Sequence, residues 1–333
     1  MQKHAILFLR GIADDRKIDI TYIDKSGHYF FQYSGSANLS GYLPDDVFEK
    51  LVMTLDTNST QELVLPKVDA LFNQIADPDT HEITLAKVES LYKLFPEKTP
   101  LINRPADVRK TRRETVATLL QGIERLHVPK TVRIQPKTPA EIHAVIKQEG
   151  FTYPVIFRKA GDHGGVSTLL IENPQEQFHA FALDGRDYYL TQFFHTEGRK
   201  KIYSKYRLAV VDGEIYLRHV IFSDHWMIHS DSRTFMESDP RFQQEEKDIL
   251  KTFDAVIKPK IEAATKTIHE RIGLDYFGVD CHIDDDYNIT LFELNANMNM
   301  LVNNAVVHRE VYDMQIKKIT DALTSMILER TAG

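Results

Sequence analysis

The strongest constraint on the fold is a predicted β-hairpin in the segment GVDCHIDDDYNITLFELNAN, residues 278–297. Two β-rich runs flank the stretch 285–288, whose residues are typical of a turn. A turn centred between Asp286 and Tyr287 places Asp280 directly opposite Glu293, with Cβ atoms about 5 Å apart. The pattern therefore predicts two carboxylates facing each other on one side of a hairpin, unless a bulge shifts the register.

The opposed carboxylates predict a metal site. Like charges directly opposed on a sheet destabilise it unless a positive charge lies between them. Asn295 is two residues beyond Glu293 and points to the same side, and carboxylate and amide oxygens suit Mg²⁺ bridging the phosphates of a nucleotide. The alternative is a solvated charged face, but the apolar neighbours of these residues favour the metal site. We therefore predict Asp280, Glu293 and Asn295 as ligands of Mg²⁺, with Mn²⁺ as an alternative ion.

Composition and charge narrow the class of protein. The 333 residues suit two or three packed domains, and 42% hydrophobic with 27% charged residues is typical of a globular chain. A net charge of −7 gives no broad basic field, so we expect no nucleic-acid partner. The single cysteine, Cys281, fits a reducing compartment and a buried structural thiol. No stretch approaches the roughly 20 apolar residues of a membrane helix, so we expect a cytoplasmic protein without a membrane partner.

Hydrophobic spacing and turn residues predict an α/β region followed by α+β regions. The first hundred residues alternate between strand and helix, which indicates a parallel sheet layered with helices. The predicted strands are Ala5–Leu9, Val68–Phe72, Pro100–Ile102, Val128–Ile134, Tyr153–Lys159, Ser167–Ile171, Tyr188–Phe194, Tyr206–Val211, Ile215–Phe222, Tyr276–Ile283 and Ile289–Asn295. The predicted helices are Leu85–Leu94, Ala106–Gly122, Pro139–Gln148, a short one from Pro174, Arg241–Arg271 with a break near Pro259, and Glu310–Glu329.

A glycine-rich loop is the second candidate feature. The chain contains no G-x-x-x-x-G-K-[ST] motif and no G-x-G-x-x-G after its early strands, which argues against a P-loop and a dinucleotide fold. The segment PVIFRKAGDHGGVST, residues 154–168, instead ends a strand in Arg158 and Lys159 and continues into glycines. Glycines let backbone N–H groups approach anionic oxygens, and the cations supply charge. The loop is a candidate phosphate-binding loop, and a plain glycine-rich turn is the alternative.

The order of these segments resembles that of the ATP-grasp superfamily. The glycine loop is followed by the strand Tyr189–Phe194, by YSKYRLAVVDGEIY, and then by GVDCHID and FELNAN. The resemblance covers residues from about 68 to 304. Within the superfamily, the segments resemble those of carboxylate–amine/thiol ligases such as D-alanine–D-alanine ligase, glutathione synthetase and glutamate-adding ligases. It implies the ATP-grasp fold: an N-terminal three-layer α/β (pre-ATP-grasp) domain followed by two α+β subdomains that clasp ATP. The corresponding predicted boundaries are 1–108, 109–190 with the glycine-rich loop, and 191–333 with the metal site.

The resemblance also implies roles for individual residues. Asp280, Glu293 and Asn295 match the magnesium ligands, and Arg207 matches the catalytic arginine that stabilises charge on the transferring phosphoryl group. The residues matched to ATP binding are Arg112, Arg158, Gly161, His163, Gly164, Gly165, Gln192, Phe193, Phe194 and Glu197. Arg158 replaces a usual lysine, and Phe193 takes a position that is often acidic.

The segment after the metal site predicts substrate contacts. Arg218, His219, Asn297 and Asn299 lie next to the two hairpins that carry Arg207 and the metal ligands. Alternation from Asn295 puts Asn297 on the metal-bearing face while the strand stays extended. Neutral amides there suit a zwitterionic, amino-acid-like substrate, and the alternative is that the asparagines cap a turn before the last helix.

The resemblance implies an ATP- and magnesium-dependent ligase. In such an enzyme a carboxylate attacks the γ-phosphate to give an acyl phosphate, which an amine then captures, with release of ADP and phosphate. The expected partners are small-molecule carboxylate and amine substrates, and the sequence leaves a homodimer open. An ATP-grasp small-molecule kinase and a non-catalytic nucleotide-binding module are the rival hypotheses.

Overall fold

The computed structural model describes residues 3–58, 64–162, 165, 167–175, 178, 181–196, 202–303, 305 and 307–332. The N-terminal elements are, in chain order, β1 (His4–Gly11), β2 (Asp19–Ile23), β3 (Tyr29–Gln32), β4 (Phe48–Leu55), β5 (Ala70–Asn73), α1 (Glu82–Tyr92), β6 (Leu101–Ile102), α2 (Pro105–Arg109) and α3 (Arg113–Leu119). The elements that follow are β7 (Leu126–His127), β8 (Thr131–Ile134), α4 (Pro139–Gln148), β9 (Val155–Lys159), β10 (Thr168–Ile171), β11 (Tyr188–Gln192), β12 (Tyr203–Val211) and β13 (Glu214–Ser223). The last are α5 (Arg233–Ser238), α6 (Pro240–Val256), α7 (Lys258–Ile272), β14 (Tyr276–Ile283), β15 (Ile289–Ala296) and α8 (Arg309–Thr331).

The N-terminal sheet is parallel, as predicted, with strand order β4-β1-β5-β6. The central strand β1 carries a run of consecutive buried apolar residues, from Ile6 to Leu9. Such runs are typical of parallel strands covered on both faces. A separate hairpin of β2 and β3, together with β4, escaped the sequence prediction.

The predicted single helix Ala106–Gly122 is wrong, because the chain forms α2 and α3 with a break between them. Arg112 has an extended backbone, with ψ at 137°, and so interrupts the helical hydrogen bonds. The Thr111 hydroxyl donates to the Val108 carbonyl at 2.8 Å, which offers the backbone an alternative to helix continuation. The break sends Arg112 and Arg113 in different directions.

The second sheet is antiparallel, with order β10-β9-β11-β8, and α4 packs on it through Ile142 and Ile146. Its predicted strands are confirmed with small shifts in their ends. The short helix predicted from Pro174 does not form among the described residues 173–175, 178 and 181–184. The Asn173 side chain accepts a hydrogen bond from the Gln175 N–H at 3.0 Å, which favours a turn over a helix.

The third sheet has the order β13-β12-β14-β15-β7, antiparallel except for β7, which runs parallel to β15. The predicted strands and the hairpin at Asp212–Gly213 are confirmed, as is the break in the long helix, which falls at Ile257 between α6 and α7. The domain boundaries at 108 and 190 stay predictions, and β7 joins the third sheet from within the second predicted segment. Among the described residues, none of the helices combines the length and apolar character that crossing a bilayer requires.

The C-terminal hairpin contains a bulge that sequence reasoning did not place. Ile283 pairs with Ile289, so the turn is centred one half-residue earlier than predicted, and the register shifts between Asp280 and Cys281. The extra residue is Phe292, and beyond it Asp280 pairs with Glu293 as predicted. The pairing of the two carboxylates is therefore confirmed, although the bulge rather than the turn alone produces it.

Candidate functional site

A row of polar residues crosses four strands of the third sheet at one level. His219 on β13 pairs with Arg207 on β12, Arg207 pairs with Asp280 on β14, and Asp280 pairs with Glu293 on β15. Because paired residues on adjacent strands point to the same face, the four side chains form a continuous line. All four border one cavity.

Asp280 is the buried centre of this row, with 4% of its surface exposed. Arg207 donates to both of its oxygens, from Nε to Oδ1 and from Nη2 to Oδ2, each at 2.7 Å. Lys205 lies two residues before Arg207, on the same face, with its Nζ 3.3 Å from Oδ2. Burial opposes the charge of Arg207, but the neighbouring Asp280 charge outweighs burial and raises the pKa of Arg207. The arginine is therefore a fixed cation at any ordinary pH.

The described partners of Glu293 include a cation and an amide. Arg113, at the start of α3, places Nη2 at 2.9 Å from Oε2 and donates from Nη1 to the Phe292 carbonyl at 3.0 Å. Asn295 donates from Nδ2 to Oε1, which confirms that its side chain and that of Glu293 share a face. The bulge at Phe292 thus turns a carbonyl toward the arginine that also pairs with Glu293.

The row lies at the base of a cleft between the second and third sheets. The cavity has a volume of about 650 Å³. Its second-sheet wall includes Ile156, Arg158, Thr191, Gln192 and Phe193, and its third-sheet wall includes the polar row, Lys205, Ile221, Leu291 and Phe292. A cleft with apolar walls and convergent charged groups between two antiparallel sheets is the architecture that the resemblance implied.

Comparison with known proteins supports the same architecture. No family model and no curated protein matches the sequence. The structure is similar to D-alanine–D-alanine ligase from Bacillus anthracis, with 11% identity, coverage of 99% of this chain and 97% of that one, and a TM-score of 0.56. It is also similar to a RimK domain ATP-grasp protein from Sphaerobacter thermophilus (15% identity, 99% and 100% coverage, TM-score 0.52) and to VanG D-Ala:D-Ser ligase from Enterococcus faecalis (12% identity, 99% and 100% coverage, TM-score 0.56). The chain has the ATP-grasp fold.

Within the ATP-grasp fold, the glycine-rich loop follows β9 as predicted. Arg158 borders the cavity and donates to the Asp162 carbonyl. Burial, and then the nearby charge of Arg113, lower the pKa of Arg158 to about 10. Gly165 borders the main cavity, whereas Gly161 borders a smaller adjoining cavity of about 30 Å³. His163 and Gly164, like Glu197, lie outside the described residues.

Gln192, Phe193 and Phe194, which the resemblance matches to ATP binding, all border the cavity, but their side chains make different contacts. The Gln192 side-chain amide accepts from the Thr152 N–H at 3.0 Å and donates to the Thr152 carbonyl at 2.9 Å, so it fixes the segment that leads into β9. Phe193 and Phe194 both border the cavity. Phe194 packs on the ring of His127 with centroids 4.1 Å apart. The segment therefore offers aromatic surface to a ligand.

Arg112 lies away from the main cavity. It donates from Nη2 to the Pro78 carbonyl at 3.0 Å and to Glu82, and it borders the smaller cavity. Arg113 takes the cavity position instead. The sequence could not separate the two, because the break between α2 and α3 decides which arginine faces the cleft.

The predicted substrate residues do not form one set. Arg218 is 7% exposed and donates to the carbonyls of Met300 and Val302 at 2.6 and 2.7 Å. Asn297 is 1% exposed, and β15 ends just before it. Its positive φ of 51° ends the extended backbone on which the alternation argument depended. His219, Asn297 and Asn299 border the cavity.

Both polar atoms of the Asn297 side chain are already bonded. Oδ1 accepts from Asn103 at 2.7 Å and Nδ2 donates to the Ile75 carbonyl at 3.1 Å. Asn297 therefore joins the third sheet to the N-terminal domain, and Arg218 fixes the segment that follows it.

Other cavity residues were missed by sequence reasoning. Lys205 could have been found, because it lies two residues from Arg207 on one strand and alternation puts both on the same face. Trp226, Met227 and Arg233 follow β13 and reach the cavity through a loop and the start of α5. Neither periodicity nor a motif marks them, since their position depends on how α6 packs on β13.

The three predicted metal ligands have side-chain oxygens that fit a magnesium ion which also binds phosphate oxygens. Asp280, Glu293 and Asn295 supply the hard oxygen atoms that Mg²⁺ prefers. No cluster of three or more His, Cys, Asp and Glu side chains suited to a metal occurs in the described part of the chain. This small donor set suits Mg²⁺, which usually takes one or two carboxylates and completes its coordination with water and substrate phosphate.

Proposed function

We propose that the protein is an ATP- and Mg²⁺-dependent ligase that activates a carboxylate as an acyl phosphate and joins it to an amine. The observation that carries this proposal is the row His219–Arg207–Asp280–Glu293 at the base of the cleft. It combines cations with two carboxylates, and a nucleotide-bound magnesium ion usually takes one or two carboxylates from the protein. The similar Bacillus anthracis ligase, solved in complex with ATP, supports nucleotide binding by this architecture.

The residues of the cleft divide into apolar and charged groups. Ile156, Leu291 and Phe193 suit the flat, apolar face of a purine, and Arg158 and Arg113 suit phosphate oxygens. Asp280, Glu293 and Asn295 would hold Mg²⁺, which when bound neutralises phosphate charge. Arg207 and Lys205 also border the cavity, and their charges would stabilise the negative charge that develops as the γ-phosphoryl group moves from ATP to the acceptor.

The proposed reaction has two steps, phosphoryl transfer to the carboxylate and capture of the acyl phosphate by the amine. A carboxylate oxygen forms a bond to the γ-phosphorus while the bond to the bridging oxygen breaks, and ADP leaves with that electron pair. The amine nitrogen then attacks the acyl carbon, phosphate leaves, and the amine proton passes to solvent or phosphate. The protein positions the reactants and excludes water, because an acyl phosphate hydrolyses readily.

The test is the dependence of ADP release on both substrates. The protein is incubated with Mg²⁺–ATP and pools of carboxylic acids and amines, and products are identified by mass spectrometry. We expect ADP and phosphate only when a carboxylate and an amine are both present, and a hydroxamate when hydroxylamine replaces the amine. Asp280→Asn should abolish product formation, whereas Asp286→Asn in the exposed hairpin turn should not.

Two results would contradict the proposal in different ways. AMP and pyrophosphate as the nucleotide products would exclude attack at the γ-phosphate. Stoichiometric phosphorylation of a hydroxyl compound, with no amine requirement, would identify a kinase instead.

A further inference from the structure

Besides Arg207 and Lys205, a further cation lies at the β13 end of the cavity, beyond the polar row. Arg233, the first residue of α5, borders the cavity, and 36% of its side chain is exposed. Its Nη1 and Nη2 donate to the two oxygens of Glu246 at 3.0 and 3.2 Å. The guanidinium is therefore held in place from behind while part of it remains open to the cavity.

The carboxylate behind Arg233 is fully buried and satisfied. Glu246 is 1% exposed and also accepts from the Val220 N–H at 3.1 Å and from the Tyr312 hydroxyl at 2.6 Å. Burial opposes the charge of Arg233, but the charge of Glu246 outweighs it and raises the pKa of the arginine. Arg233 is thus a preorganised cation, which binds an anion at a lower entropic cost than a mobile side chain would.

Positive charge is in excess at this end of the cavity. Burial, and then the charges of Arg207, Arg233, Arg218 and Lys205, depress the pKa of His219 well below its usual value, so the imidazole between them is neutral. The carboxylates that pair with these cations are Asp280, shared by Arg207 and Lys205, and Glu246. Arg218 bonds only neutral carbonyls in the contacts described above. A bound anion would balance this charge.

We propose that the end of the cavity around Arg233 and His219 is an anion-binding subsite that holds a second negatively charged group of the acid substrate. The acid substrate is then a dicarboxylate or a similar dianion. This inference rests on the proposed ligase function, in which the reacting carboxylate of the acid substrate lies beside Arg207. The distal group then extends past the neutral imidazole to Arg233. It replaces the expectation that neutral amides at Asn297 and Asn299 define the substrate.

The test is direct binding, which needs no turnover. Trp226 is the chain's single tryptophan and borders the cavity, so its fluorescence reports binding there. Glutarate, butyrate and glutaramide serve as dianionic, monoanionic and neutral probes, titrated with and without Mg²⁺ and a non-hydrolysable ATP analogue. We expect glutarate to bind at least about tenfold more tightly than butyrate, which corresponds to about 1.4 kcal/mol, and glutaramide to bind more weakly still.

Variants identify the group responsible. Arg233→Gln should remove the preference for glutarate over butyrate, and Arg241→Gln, whose side chain is 80% exposed on α6, should retain it. Because Arg233→Gln leaves Glu246 buried without its cation, the double variant Arg233→Gln/Glu246→Gln provides a neutral pair that preserves packing. Equal affinities for glutarate and butyrate, or a preference that survives in the double variant, would overturn the subsite. Glutarate binding in a protein that releases AMP and pyrophosphate, or that phosphorylates a hydroxyl compound, would leave the subsite standing and remove the ligase function.

Discussion

At the scale of single residues, Glu293 shows how the cleft balances charge. One of its oxygens pairs with Arg113 and the other accepts from Asn295. The proposed Mg²⁺ would supply this carboxylate with positive charge, as Arg113 now does. Ligand binding would therefore exchange one set of ionic contacts for another, rather than bury a new charge.

Removing that carboxylate's charge tests the metal role. Glu293→Gln keeps the size of the side chain and an oxygen acceptor, but it removes one ligand charge. We expect the fold to persist and turnover to fall at least roughly tenfold, about 1.4 kcal/mol of barrier. The measurement is the steady-state rate as a function of Mg²⁺ concentration, with circular dichroism to verify folding. Asp286→Asn, which removes a charge from the exposed turn of the same hairpin, is the matched control, and an unchanged Glu293→Gln rate at limiting Mg²⁺ would exclude the ligand role.

At the scale of elements, Arg218 links β13 to the segment after β15. Arg218 is the extra residue of a bulge in β13, because its neighbours His219 and Leu217 pair with consecutive residues of β12. The bulge changes the direction of its side chain. Two charge-assisted hydrogen bonds then fix the carbonyls of Met300 and Val302. Burial, and then the charge of Arg233, lower the pKa of Arg218 to about 10, which shows that this charge is held at a cost.

Arg218→Met should therefore destabilise the protein measurably. Each lost bond to a charged donor costs roughly 1.5–3 kcal/mol, and relief of the buried charge returns part of it. We expect a loss of about 2–3 kcal/mol in the free energy of unfolding, measured by urea denaturation. Arg241→Gln on the surface of α6 should stay within about 0.5 kcal/mol of the parent. A midpoint for Arg218→Met equal to that of the parent would show that the segment is held by other contacts.

The elements also show what the sequence could predict. Alternation and turn residues predicted the four long strands of the third sheet, since these signals are local, but they did not predict the two-residue strand β7. The pairing of Asp280 with Glu293 was predicted from a turn centre that is displaced in the structure, and the bulge at Phe292 compensates. Bulges depend on distant contacts, here the bond from Arg113 to the Phe292 carbonyl.

The same limit separates the site residues that were found from those that were missed. Arg207 and the three predicted metal ligands lie on extended strands, where position along the chain largely fixes the direction of a side chain. Arg113 and Arg233 lie at helix starts, and Asn297 follows a strand end with a positive φ. The direction of such side chains is set by tertiary packing, which a single sequence does not show.

At the scale of the whole molecule, the glycine loop and second sheet rest on the N-terminal domain through one polar cluster. The Tyr189 hydroxyl lies 2.8 Å from both oxygens of Asp79, and Arg133 reaches the same carboxylate at 3.1 Å. Burial raises the pKa of Asp79, and the hydrogen bond from Tyr189 opposes the rise. Close by, Gly161 approaches Thr80 so tightly that a Cβ at position 161 would lie 2.5 Å from the threonine Cγ2. The loop that borders the cleft thus contacts the loop after β5 directly.

This close approach makes the seating of the loop testable by a double-mutant cycle. Gly161 has a φ of 76°, so Gly161→Ala adds backbone strain of about 1 kcal/mol, in addition to the clash with Thr80. Gly122→Ala is the matched control, because its φ of 75° is the same and nothing lies within 4 Å of the added Cβ. We expect Gly161→Ala to destabilise the protein by about 2–3 kcal/mol and Gly122→Ala by about 1 kcal/mol, measured by urea denaturation.

Thr80→Ser isolates the contact, since it removes Cγ2 and keeps the hydroxyl that donates to Asp77 at 2.7 Å. In the Thr80→Ser background, Gly161→Ala should cost only the backbone strain, so the two changes should couple favourably by about 1 kcal/mol or more. Hydrogen exchange of residues 159–162 should follow the same order, fastest in Gly161→Ala alone. If the two substitutions add without coupling, Gly161 does not rest on Thr80 in solution.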